Sequence, residues 1–267
     1  MGVVLSGERI VTAWLAALAH LGTHAGRARN VVLEVQNPTA LEAADRAVIQ
    51  SADAALRAFS NTSIATVAGT IFPQGMYLRH GADGLAKRFM KVMSKAKKKG
   101  TWGTYAMRMM ERPGKASGST FYPLEQIVAK MRRAATDGNG YTSICELGVH
   151  FPEDLDETHY EFACELPTID PARDGAMVSN MPCLSHVTFK LIDKEAVELT
   201  AIYRSHWYLQ RALGNLIGLS HLQSFIAKEA GLQIGTMTCI STDATLDYKS
   251  WGGVTKGRQR IAELLGN

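Results

Sequence analysis

No apolar run in this sequence reaches the roughly 18–20 residues that a membrane-spanning helix needs. The best stretch, Ile10 to Leu21, is shorter and carries Thr12, Trp14 and His20 inside it. Membrane attachment is therefore not expected. Cysteine is scarce: Cys145, Cys164, Cys183 and Cys239 stand far apart with no CxxC pair. That spacing argues against a metal site or a disulfide framework. Scattered thiols fit a reducing compartment, and the opening MGVVLSGERI lacks the basic-then-apolar pattern of a secretory signal. A cytoplasmic location is the expectation. Charge of one sign is not in large excess, with 29 Lys and Arg against 25 Asp and Glu, a net charge of +4. Such a mild basic balance suits an anionic small ligand as well as a nucleic acid. The one basic run, Lys95 to Lys99, has no interleaved aromatic residue. Single-strand stacking is thus not favoured, and lysines at a helix end complement its dipole.

The composition, 46% hydrophobic and 20% charged, is that of an ordinary globular protein. A chain of 267 residues buries about three quarters of its surface on folding and needs no covalent staples. No internal repeat is evident. One domain over residues 1–267 is expected, with an insertion or long loop at about 151–180, where acids, prolines and turn residues concentrate. Residues 7–21 pattern as an amphipathic helix and Val31 to Val35 as a strand. Thr39 with Glu42 forms a capping-box signature, and Asn37-Pro38 is an equally good start, for a helix running to Phe59. Residues 84–99 and 123–135 read as helices, 111–122 as a loop and Tyr141 to Leu147 as a strand. Ser185 to Ile192 and Ala196 to Tyr203 alternate with period two across Asp193-Lys194-Glu195, the pattern of an antiparallel hairpin. A long helix over Tyr208 to Ala230, closed by Gly231, precedes a strand from Gln233 to Ile240. Strands and helices mix without strict βαβ alternation, which implies an α+β fold around a mixed sheet.

The informative stretch is residues 181–247. It holds Met181-Pro182-Cys183, Tyr203-Arg204-Ser205, then Asn215 eleven residues after Arg204, then Gly235 and Ser241-Thr242-Asp243. In this stretch the chain resembles the thymidylate synthase and pyrimidine hydroxymethylase superfamily. The resemblance implies a thymidylate synthase-like fold, a homodimer and a pyrimidine nucleotide substrate. It implies 5,10-methylenetetrahydrofolate as the one-carbon donor. C5 of a pyrimidine is a poor nucleophile until a thiolate adds at C6, so the chemistry needs a cysteine whose ionisation is assisted. By resemblance Cys183 is that nucleophile. Arg204 is the cation beside it and, with Ser205, the grip on the phosphate. Asn215 reads the base edge, where an asparagine suits uracil better than cytosine. His186, three residues after Cys183, is a candidate for proton transfer. Asp243 is expected to help organise the substrate site.

The sequence also departs from the family. The histidine and tyrosine expected after Asp243 are replaced by Thr245 and Asp247. Asp247 could still accept from a sugar hydroxyl. Trp207 stands where the family carries the pterin-holding aspartate, and an indole can stack on a ring but cannot supply a charge. The arginine pair that a partner subunit lends to the phosphate should fall near 138–143, which reads GNGYTS. No acid lies between Ala65 and Phe72, where the family's catalytic glutamate is expected, and only twenty residues follow Asp247. A missing C-terminal lid favours hydroxymethyl over methyl transfer, because water then reaches the intermediate. Three readings follow: a folate-dependent C5 one-carbon transferase, a folate-independent nucleotide-modifying homologue, and a catalytically silent nucleotide binder.

Overall fold

A computed structural model of the chain describes residues 2–97, 103–114, 116–136, 165–169 and 181–266. The strand expected at 141–147, the long loop at 151–180 except 165–169, the 138–143 segment, and Cys145 and Cys164 lie outside the described residues. In chain order the strands are β1 Val3–Gly7, β2 Arg27–Val35, β3 Arg112–Pro113, β4 Thr120–Phe121, β5 Glu165–Pro167, β6 Leu184–Ile192, β7 Ala196–Tyr203, β8 His206–Trp207 and β9 Gln233–Thr245. The helices are α1 Ile10–Thr23, α2 Ala43–Ser60, α3 Ile64–Gly69, α4 Gln74–His80, α5 Leu85–Ala96, α6 Tyr105–Met110, α7 Pro123–Thr136, α8 Leu213–Ala230 and α9 Val254–Leu265. A π-helical turn, Tyr208–Ala212, leads into α8, and a 3-10 turn, Tyr248–Trp251, precedes α9.

The larger sheet runs β1-β2-β9-β7-β6-β5 in hydrogen-bonded order, with β8 beside β9. β1 pairs with β2 and β8 with β9 in parallel, whereas β2–β9 and β5–β6 are antiparallel. The fold is therefore α+β with a mixed sheet, as the sequence pattern implies. The chain groups into two compact units. The first comprises Met1–Gly69, Thr200–His221 and Thr236–Asn267, and the second Thr70–Leu199 and Leu222–Gly235.

In the first unit α1 buries Ile10, Trp14, Ala17, Leu18 and Leu21, a stripe with helical spacing. The Trp14 indole N–H donates to the Tyr208 carbonyl at 3.0 Å, and its ring meets Trp251 edge-on at 6.2 Å. α2 begins at Ala43, four residues beyond Thr39, so neither expected start is the cap. The reason is a turn in which the Ala40 N–H donates to the Asn37 carbonyl. Glu42 becomes the cap residue, and its N–H donates to the Asp45 carboxylate at 2.9 Å. That carboxylate is itself held by Arg9 at 2.6 Å. β1 escapes the sequence pattern because its five residues alternate only half-buried and exposed. After the 3-10 turn the chain folds as α9, which buries Ile261.

In the second unit Phe72, Tyr77 and Phe225 form an aromatic cluster with ring centroids 5.0–5.9 Å apart. Residues 111–122 contain a small hairpin, β3–β4, within the expected loop. Asp193 and Lys194 both take positive φ, 51° and 59°, and the Glu195 N–H donates to the Ile192 carbonyl at 2.9 Å. This is the two-residue primed turn whose twist matches that of a hairpin. β7 alternates strictly, burying Val197, Leu199, Ala201 and Tyr203.

The start of α8 lies close to α3 in the first unit. A Cβ built on Gly214 would fall 2.6 Å from the Val67 Cβ and 3.0 Å from the Ile64 carbonyl oxygen. Only a residue without a side chain permits this approach. Gly214→Val is expected to cost about 1–3 kcal/mol by overpacking. The check is chemical denaturation; an unchanged midpoint would show that the two helices separate freely.

Candidate active site

The chain places its candidate residues on a few short segments. In the first unit, β7 ends at Tyr203 and bends through Arg204 and Ser205, both half-buried. The bend is held by Thr242, whose hydroxyl donates to the Arg204 carbonyl at 2.9 Å and reaches that of Tyr203 at 3.3 Å. β8 follows, with His206 buried and Trp207 49% exposed. The π turn and α8 come next, and Asn215 sits in the first turn of α8, 5% exposed. The whole run from Arg204 to Asn215 is thus one continuous bend, strand and helix start.

At its centre is a buried polar chain that the sequence did not reveal. Asn215 Nδ2 lies 3.1 Å from His206 Nε2, and His206 Nδ1 lies 2.9 Å from Ser241 Oγ. Ser241 Oγ is 3.1 Å from the Tyr208 hydroxyl. The imidazole stacks on the Tyr203 ring at 4.0 Å, with the planes 8° apart. Removal from water disfavours the charged imidazolium and pushes the His206 pKa down to about 3. Burial likewise pushes the Tyr208 phenol up. His206 and Tyr208 are therefore both neutral at ordinary pH, and their partners Asn215 and Ser241 carry no charge. His206 gave no sequence signal because Ser241, its partner, lies 35 residues away along the chain.

The two aspartates near this network have different jobs. Asp243 on β9 is bidentate to Arg27 of β2, with N···O distances of 2.8 and 2.5 Å. The hydrogen bonds to Arg27, with the nearby charges of Arg27 and Arg29, hold its carboxyl below the usual range. Asp247 Oδ1 accepts from the backbone N–H groups of Leu209 and Gln210 at 2.9 and 3.4 Å. Its Oδ2 accepts from the Ser250 hydroxyl at 2.6 Å. Asp247 thus caps the start of the π turn, where a carboxylate satisfies otherwise orphaned donors and meets the positive end of the helix dipole. Three of its roughly four acceptor positions are taken by these donors. A sugar hydroxyl would have to share what remains.

In the second unit Cys183 is an exposed residue on a bend directly before β6, preceded by the buried Pro182. The Tyr105 hydroxyl, from α6, accepts from the backbone N–H groups of both Cys183 and Leu184, at 3.1 and 3.2 Å. One phenol therefore fixes the backbone that presents the thiol. The signal for Tyr105 in the sequence is slight, a lone aromatic behind the Thr104 cap of a six-residue helix. His186 lies on β6, 8% exposed. By contrast, Cys239 of the first unit is fully buried, and burial pushes its thiol up to about 12. It is an inert packing residue. Among the described residues no group of three or more His, Cys, Asp or Glu gathers as a metal site. Among them, too, no helix is long and apolar enough to cross a membrane.

Two expectations follow from this geometry. Tyr105→Phe removes the shared acceptor from two amides. It should destabilise the protein by about 1–3 kcal/mol and change the alkylation rate of Cys183 by iodoacetamide; identical stability and reactivity would show that water replaces the phenol. His206 has a folded pKa below its unfolded value, so below about pH 6.5 the unfolded chain binds a proton that the folded one does not. Stability should therefore fall as pH drops from about 6.5 towards about 3, by about 1.4 kcal/mol per pH unit for this group. The slope in denaturation experiments should be shallower by that amount in His206→Phe; equal slopes would place a proton on the buried ring.

No family model matches the chain. A stretch of 91 residues, 34% of this chain, is 35% identical to a protein of Methanococcoides burtonii named "Putative thymidylate synthase" and covers 39% of it. A protein of the same name from Methanosarcina mazei is 35% identical over 74 residues, 28% of this chain and 34% of that protein. The chain thus matches between about a third and two fifths of the length of these curated relatives. Among solved structures, the thermostable thymidylate synthase A from Bacillus subtilis superposes with a TM-score of 0.52. The match covers 97% of this chain and 84% of that one at 10% identity, which is a likeness of fold. The fold is thus similar to that of thymidylate synthase, and about a third of the chain is similar in sequence to proteins named as putative thymidylate synthases.

Proposed function

We propose that this protein is a pyrimidine nucleotide C5 one-carbon transferase that works through addition of the Cys183 thiolate to C6 of the base. The observation that carries this reading is the presentation of Cys183: an exposed thiol on a Pro-Cys bend whose two following amides are pinned by Tyr105. The similarity to proteins named as thymidylate synthases supports it. Thiolate addition moves electron density from the C5–C6 double bond onto C5 and O4, and C5 then attacks an electrophilic carbon. In this reading Arg204 and Ser205 bind the phosphate. Asn215 pairs with the base edge, with uracil preferred. Asp243, bidentate to Arg27, helps to organise the substrate site, Asp247 holds the π turn that precedes Asn215, and His186 assists proton transfer.

The exposed indole of Trp207 offers a flat face on which a pterin ring can stack. It would hold 5,10-methylenetetrahydrofolate there, and that cofactor when bound would supply the one-carbon unit. A homodimer in a reducing, cytoplasmic compartment completes the reading. A second reading, folate-independent modification of a nucleotide, is favoured by the same residue: Trp207 brings no carboxylate to the ring it would stack on.

The test is tritium release from C5-labelled dUMP, UMP, dCMP and CMP, with and without 5,10-methylenetetrahydrofolate. Release to water is expected with a uracil nucleotide, dependent on folate, and reduced to background in Cys183→Ala. Product mass separates hydroxymethyl from methyl transfer. Release without folate would establish the second reading, and none from any of the four would sink the transferase.

A further inference from the structure

We propose that His206 is a positioning residue that locks the side-chain amide of Asn215 in one orientation and so sets which pyrimidine base the protein accepts. This rests on the reading of Asn215 as the base-reading residue. An asparagine amide by itself has no preference. A half turn about its last torsion exchanges the carbonyl oxygen for the NH2 group. Uracil presents N3–H as a donor and O4 as an acceptor; cytosine presents N3 as an acceptor and the N4 amino group as a donor. A free amide therefore answers either base by turning over.

In this structure the amide is not free. One N–H of Asn215 points at His206 Nε2 at 3.1 Å, which requires Nε2 to carry a lone pair. The ring proton then sits on Nδ1 and is donated to Ser241 Oγ at 2.9 Å. Among the described residues the other N–H and the Oδ1 of Asn215 make no hydrogen bond, which leaves one donor and one acceptor for a ligand. Turning the amide over would place Oδ1 against Nε2. The ring proton would have to move to Nε2, and Ser241 would have to donate to Nδ1 instead of accepting from it. The Tyr208 hydroxyl, 3.1 Å from Ser241, would have to follow. The stack on Tyr203, at 4.0 Å and 8°, stops the imidazole from rotating away. The polarity of the amide is thus tied to a chain of groups from four parts of the first unit, none of which needs to touch the base.

Isothermal titration of the full chain with dUMP, UMP, dCMP and CMP tests this. In the wild type the uracil nucleotide of either sugar should bind more tightly than its cytosine counterpart. His206→Phe keeps the ring and its stack but removes both nitrogens. The uracil-to-cytosine ratio of Kd values should collapse towards one, by at least about tenfold. Ser241→Ala, a smaller change that frees the tautomer, should move the ratio the same way and serves should the phenylalanine variant fail to fold. A role in stability alone would weaken all four nucleotides together and leave the ratio intact, and that result would overturn the proposal. Asn215→Ala separates the two layers. If it abolishes discrimination while His206→Phe and Ser241→Ala do not, His206 has no positioning role and the reading of Asn215 stands. If Asn215→Ala leaves discrimination unchanged, or none of the four nucleotides binds, base reading by Asn215 fails and the role of His206 falls with it.

Discussion

A histidine sealed from water is tolerated only when it is neutral and both of its ring nitrogens are paired. That requirement organises the first unit. His206 is 1% exposed and finds its partners on β9, on the first turn of α8 and on the face of the last residue of β7. If any of these elements shifted by more than a fraction of an ångström, a buried polar atom would be left without its bond, at a cost of about 1–3 kcal/mol. The bend at Arg204-Ser205, the π turn and the start of α8 are therefore not independent. They are fixed together by one ring. Gly214 completes the arrangement, since the close approach of α3 to this helix start excludes a side chain there.

Charges are handled by position rather than by type. Asp243 and Asp247 lie four residues apart, yet Asp243 is half-exposed and matched to Arg27, while Asp247 is spent on backbone donors at a helix start. The pairing holds the carboxyl of Asp243 down, and burial is the largest influence on Asp247, pushing it up. The same contrast separates the thiols. Cys239 is a small hydrophobe with its proton firmly held, whereas Cys183 stands exposed on a bend that another residue's hydroxyl pins. The two thiols thus differ in surroundings: one is sealed in the core and the other reaches solvent.

Much of the fold was legible because periodicity reports burial directly. The strict alternation of residues 196–203 and the helical stripe of α1 each correspond to a buried face. Elements with weak patterns were lost: β1 buries none of its five residues, and α3 and α4 are only six and seven residues long. The start of α2 was displaced because a local capping pattern at Thr39 competed with a carboxylate, Asp45, that a distant arginine holds in place. β9 extends to Thr245, past the expected end at Ile240, because β2 offers backbone partners as far as Arg27. Local propensity cannot register either of these nonlocal effects.

The sequence by itself determined the class of fold, the absence of a long apolar span and the spacing of Pro182-Cys183, Arg204-Ser205 and Asn215, because these depend on residue type and distance along the chain. It did not determine what each polar group is bonded to. Tyr105 reaches Cys183 across 78 residues, Asp247 reaches Leu209 across 38, and Ser241 reaches His206 across 35. Only the tertiary structure brings these pairs to within about 3 Å. A hydrogen bond depends on distance and direction in space, and neither is encoded in the separation of two residues along the chain.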